Sequence, residues 1–127
     1  MNLKNIFQIY TLFVCLICTV ILIVTAALFL NSVTNLIIPQ YKHYAMFIRY
    51  ESNDNYLRHY EDYKERLAAL KQLSPAQLEE KRANDKKEYL EEQKGYAIQS
   101  MISTLEWALI ALIFFFIHWR LYKRSKG

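Results

Sequence analysis

Turn-forming residues are almost missing from this 127-residue chain: its only glycines are Gly95 and Gly127, and its only prolines are Pro39 and Pro75. A fold of many short strands needs many turns, so this scarcity excludes one and points to a few long helices. Cysteine is equally sparse. Cys15 and Cys18 both fall inside an apolar run, so no disulfide staples the rest of the chain. Charge is missing altogether from Asn5 to Tyr41. There is no glycine-rich phosphate loop, no nucleophile with a base at working spacing and no cluster of metal ligands, so the expectation is a protein that is not an enzyme and takes no cofactor.

What fills the space is apolar. Thr11 to Leu30 reads TLFVCLICTVILIVTAALFL, about the length that crosses a bilayer, and a second run covers Met101 to Leu121. With 54% apolar residues concentrated in these two blocks, too few remain for a separate soluble core. The predicted class is all-α: a two-pass integral membrane protein with an extramembrane antiparallel helical hairpin between its transmembrane helices. The expected divisions are a head at 1–5, a first transmembrane helix at 6–38, the hairpin at 39–100 with its turn near 73–75, a second transmembrane helix at 101–121 and a basic tail at 122–127. A cleaved secretory signal is the rival for the first run. Its apolar stretch exceeds the usual core of about 7 to 15 residues, so an uncleaved signal anchor is expected.

The net charge of +4 comes from the two ends, where Lys4, Arg120, Lys123, Arg124 and Lys126 face only Glu106. Between Asn31 and Ser100 acids and bases balance, so the chain lacks the basic stripe of a nucleic-acid binder. Trp119 and Arg120, with the cations after them, form an aromatic and basic belt suited to a cytoplasmic boundary. That belt and Lys4 place both termini in the cytoplasm and residues 39–100 outside, in a bacterial inner membrane. The cations of the intervening segment are discounted because loops longer than about 60 residues translocate largely regardless of charge.

Along the chain, Pro39 is expected to end or kink the first helix. Tyr41, Tyr44, Phe47 and Ile48 then recur at helical spacing among Lys42, His43 and Arg49, a pattern suited to the headgroup layer or to a partner. Tyr41 and Tyr44 are the candidate anchors on this side. Ser52-Asn53-Asp54-Asn55 marks a break or a new N-cap. Beyond it Tyr56, Tyr60, Tyr63, Leu67 and Leu70 step by four and three, a seam for one other helix and a candidate partner contact. Ser74-Pro75-Ala76-Gln77 is a capping box with proline at the first helical position. The helix it starts carries a thin stripe of Ala76, Ala83, Leu90 and Ala97, expected to sit under the tyrosines of the first arm. Gly95 is a candidate hinge, weighed against simple tolerance at a lightly loaded position.

Two features inside the apolar runs invite chemistry. Cys15 and Cys18 have C-x-x-C spacing, but a thiolate in hydrocarbon is disfavoured, so they are read as small fillers on one helix face. Glu106 is the one carboxylate in either run; it either faces a partner, with Thr25 or Asn31 at a compatible height, or reaches the headgroup region beside Trp107. Three function classes are open. The leading one is a non-enzymatic accessory or regulatory subunit that docks on a larger membrane complex through its transmembrane helices and hairpin. A homo-oligomeric pore is the second, weakened because Trp107 to Ile117 offers no polar stripe. A membrane-bound inhibitor or immunity protein against a toxin is the third. The expected partners are the lipid bilayer and a membrane protein or further copies of the chain.

Overall fold

A computed structural model describes residues 2–127 of the chain. Among them there is no strand. The order is α1 (Leu3–Ile37), α2 (Pro39–Lys42), α3 (Tyr44–Phe47), a 3-10 turn (Ile48–Tyr50), α4 (Asn53–His59), α5 (Lys64–Lys71) and α6 (Pro75–Lys126). Two of these helices, α1 and α6, are long and apolar enough to cross a membrane, with mean hydropathies of 3.0 and 2.0 in their most apolar windows. The chain divides into two units, one made of residues 1–33 and 98–127 and the other of residues 34–97.

In the first unit, α1 and the end of α6 run antiparallel. The buried and half-buried residues of α1 include Gln8, Thr11, Cys15, Cys18, Leu22, Thr25, Phe29 and Ser32, which alternate steps of three and four. On α6 the same alternation runs through Met101, Thr104, Ala108, Ala111, Phe115, His118, Tyr122 and Ser125. A repeat of 3.5 residues is the period of left-handed coiled-coil packing, and small side chains on it let two backbones approach closely. Hydroxyls on such a seam need acceptors. Thr11 Oγ1 donates to the Phe7 and Gln8 carbonyls at 3.1 and 3.0 Å, Thr25 Oγ1 to Leu22 O at 3.0 Å, and Thr104 Oγ1 to Ser100 O at 3.0 Å. Contacts that cross between the helices include Gln8 Nε2 to Ser125 O at 3.2 Å, Cys15 Sγ to Phe115 O at 3.8 Å, and Ser32 Oγ to Ser100 Oγ at 2.7 Å. Cys15 and Cys18 are free and buried, two small side chains on one face.

The second unit is built from local signals. Ile38, with φ −128° and ψ 53°, separates α1 from α2, whose first position is Pro39. His43 interrupts the next turn, and Ser52 caps α4 by accepting from the Asn55 amide at 3.1 Å. The capping box at Ser74 is complete: the Ser74 amide donates to Gln77 Oε1 at 3.0 Å, and the Gln77 amide to Ser74 Oγ at 3.2 Å. From there α6 runs through Gly95 without a break, and a Cβ added at Gly95 meets nothing within 4 Å.

The packing corrects three expectations about this unit. Tyr56 to Leu70 is not one helix, because α4 ends at His59 and α5 starts at Lys64. On a straight helix Tyr56 and Leu70 would lie about 21 Å apart along the axis. The turn at Tyr60 to Tyr63 instead lets both enter one core with Phe47, Tyr50 and Leu78, while Tyr63 itself is left 57% exposed. Next, of the stripe Ala76, Ala83, Leu90 and Ala97, the first two are exposed while Leu90 is half-buried and Ala97 buried, and the face of α6 that covers this core carries Leu78, Asp85, Tyr89 and Leu90. Large rings bury more area against leucine and tyrosine, and a buried tyrosine hydroxyl needs a polar partner that alanine cannot supply. Finally, Phe47 does not share a surface with Tyr41 and Tyr44. It is buried in the core, whereas they are 79% and 57% exposed.

Candidate functional site

Glu106 sits on an exposed part of α6. Its neighbours two positions away on either side, Thr104 and Ala108, are on the seam with α1, which puts Glu106 about 200° around the helix from each, on the outward face. No hydrogen bond or ion pair reaches its carboxylate among the described residues. Thr25 does not approach it, its hydroxyl being turned back to Leu22 O. Around Glu106 the outward face is apolar, with Ile102, Leu109, Ile110, Ile113 and Ile117 all exposed. At the end of α6, Trp119 stacks on Phe115 with ring centroids 6.1 Å apart, and Lys123 Nζ lies 5.6 Å from the Trp119 ring. Arg120 is exposed on the same turn.

The second concentration of chemistry, in residues 34–97, is a group of aromatic rings around Arg49. Phe47 and Tyr89 meet edge to face at 4.9 Å, and Tyr56 and Tyr60 at 5.3 Å. The Arg49 guanidinium lies over the Tyr50 and Tyr89 rings at 4.7 and 5.2 Å, donates from Nη2 to the Tyr50 hydroxyl at 2.6 Å, and places Nη1 3.1 Å from His59 Nε2. Arginine has only donors, so His59 Nε2 accepts and its ring proton resides on Nδ1. Burial and then the charge of Arg49 hold His59 below the ordinary imidazole pKa. The Tyr56 hydroxyl donates a hydrogen bond to the Asp85 carboxylate. Burial first and this bond second push the Tyr56 pKa far up, and burial also raises that of Tyr50. Arg82 Nη1 ties α6 to Asn53 Oδ1 at 2.7 Å, and Asn53 Nδ2 reaches Pro75 O at 3.4 Å.

Of the residues singled out in the sequence, Tyr56, Tyr60 and Leu70 come together here, Leu67 is half-buried, and Tyr63 is outside. Gly95 stays within a regular helix. Arg49, Asp85 and Tyr89 were not singled out for a role in this cluster. Arg49 stands in the tyrosine-rich stretch 41–50, but its stacking on Tyr89 joins residues forty positions apart and has no local signature. No group of three or more potential metal ligands occurs among the described residues. The chain matches no protein-family model, no curated protein and no solved structure.

Proposed function

We propose that this protein is a non-enzymatic accessory subunit, inserted in a bacterial inner membrane by α1 and the apolar part of α6, that docks on a larger membrane protein complex. Both termini lie in the cytoplasm and the helical segment 39–100 lies outside, as the basic tail after Trp119 favours. The observation that carries the reading is the position of Glu106. A carboxylate in an apolar spanning run is costly, and such residues face protein or water. Here α1 is on the other side of α6, packed on Thr104, Ala108 and Ala111, so the protein that receives Glu106 is another chain. The apolar residues around it supply the contact area, and the outward carboxylate supplies the selectivity.

Recovery of the complex after mild-detergent purification tests this, comparing wild type with Glu106→Gln and Glu106→Leu at equal membrane insertion. Gln preserves much of the hydrogen bonding and Leu none, so the expected result is co-purifying protein largely retained with Gln and lost with Leu. Equal recovery from all three removes Glu106 as a docking residue and leaves it an interfacial side chain. Recovery of a homo-oligomer alone makes the partner a second copy.

A further inference from the structure

Beside the aromatic cluster is an open cavity of about 280 Å³, close to the lower end of the size range of small-molecule sites. Its polar lining is Arg49, Asn55, Arg58 and His59, its apolar wall includes Met46 and Ile48, and no acidic residue lines it. Two permanent cations therefore face one space. Among the described residues neither is neutralised: Arg49 is held by a tyrosine hydroxyl, a neutral imidazole and two ring faces, its Nε is buried without an acceptor, and no ion pair reaches Arg58. A guanidinium half-buried among neutral partners carries a desolvation cost that an anion relieves, and its planar fork suits the oxygens of a phosphate.

We propose that this cavity binds the phosphodiester headgroup of a net-anionic membrane lipid, with Arg49 and Arg58 on the phosphate and Met46 and Ile48 against the glycerol and first methylenes. Several features favour a lipid over a free anion. The cavity mixes cationic donors with an exposed apolar wall, which matches a molecule that is charged at one end and apolar at the other. Tyr41 and Tyr44, in the same short segment, are exposed aromatics with polar tips, the residue type that settles at headgroup level. Arg49 also follows the end of α1 by only about a dozen residues of chain. Asn55 keeps the site in shape, its Nδ2 donating to Ile48 O at 3.2 Å and so tying α4 to the apolar wall.

The inference rests on the membrane location proposed above but not on Glu106, and it is measured on the isolated full-length chain, so loss of a protein partner does not affect its test. Protein in a non-ionic detergent is given equimolar phosphatidylglycerol and phosphatidylcholine with identical acyl chains, and single-lipid adducts are counted by native mass spectrometry. Both lipids offer the phosphate, but the choline cation of phosphatidylcholine is repelled by the two guanidiniums, so the expected result is an excess of the phosphatidylglycerol adduct of about tenfold. Arg58→Gln, an exposed substitution, abolishes the excess, Arg58→Lys restores part of it, and Arg66→Gln, outside the cavity, leaves it intact. Equal adducts for both lipids in wild type, or the same loss from Arg66→Gln as from Arg58→Gln, overturns the site. Displacement of the lipid by excess inorganic phosphate overturns the lipid as occupant and makes the ligand a free anion.

Discussion

Tyr56 shows how one hydroxyl organises the segment outside the apolar runs. Its ring is 1% exposed, and its hydroxyl is joined to Asp85 on another helix, so the residue supplies both buried area and a directional tie. Removing the hydroxyl by Tyr56→Phe leaves a half-buried carboxylate without its donor, at a cost of about 1–3 kcal/mol. A lowered urea midpoint for loss of tyrosine near-ultraviolet dichroism is the readout. Alkaline pH supplies a second check. Because the folded-state pKa of Tyr56 is raised above its unfolded value, the contribution is fully present below about pH 10 and is lost as pH climbs beyond it. The Phe variant should therefore show a shallower alkaline loss of stability than wild type; identical slopes would mean that Tyr56 ionises as freely folded as unfolded. His59 runs in the opposite sense, since its lowered folded pKa makes the unfolded chain bind the proton more readily below about pH 6.5. Stability of this segment should fall as pH drops through that range, and His59→Gln should flatten the fall.

Among the elements, the start of α6 depends on a reciprocal cap and the rest of it on a seam of small residues. Ser74→Ala removes both the hydroxyl that holds the Gln77 amide and the reason for Gln77 to fold back, an expected loss of about 0.5–2 kcal/mol. Faster hydrogen exchange at the amides of Ala76 to Leu78, with the apolar end of α6 unchanged, is the local signature. Unchanged exchange there would show that packing of Leu78 alone fixes the helix start. In the seam, Ala111 is 3% exposed and faces α1. Ala111→Leu forces the two backbones apart and should destabilise the pair by about 1–3 kcal/mol, lowering the melting temperature in detergent. Leu109→Ala, on the exposed face, is the comparison and should leave that melting temperature nearly unchanged.

For the molecule as a whole, the testable quantity is which parts of the chain lie on which side of the membrane. In protein with Cys15 and Cys18 replaced by alanine, an impermeant thiol reagent added to intact cells should label Ser74→Cys and not Ser125→Cys. Labelling only at position 125 would invert the proposed orientation, and labelling at both would place the two positions on the same side. The alanine background is mild because both cysteines are small seam residues with no disulfide between them.

Much of this architecture follows from the sequence alone, because its signals are local. An uncharged run longer than a bilayer is thick makes α1; Pro39 forbids its simple continuation; Ser52 and the Ser74–Gln77 box start helices with side chains three residues apart. The 3-4 alternation of Gln8, Thr11, Cys15, Cys18, Leu22, Thr25, Phe29 and Ser32 was equally present in the letters, though against an apolar background on every face only Cys15 and Cys18 stood out, as small fillers on one face. Tertiary structure decided what depended on partners distant in the chain. The 4-3 spacing of Tyr56 to Leu70 suits a continuous helix, yet burying both its ends against α6 stabilises more than the unbroken hydrogen-bond ladder, so the chain turns at Tyr60 to Tyr63. Ala76 and Ala83, the first half of the thin stripe on α6, lost their place for a related reason, while Leu90 and Ala97 kept theirs: a buried tyrosine hydroxyl requires an acceptor, and Asp85, not Ala83, provides one. Which way Glu106 faces was also beyond the sequence, since it is set by which stripe of α6 packs on α1, and that choice is made by the close approach of small residues on two helices at once.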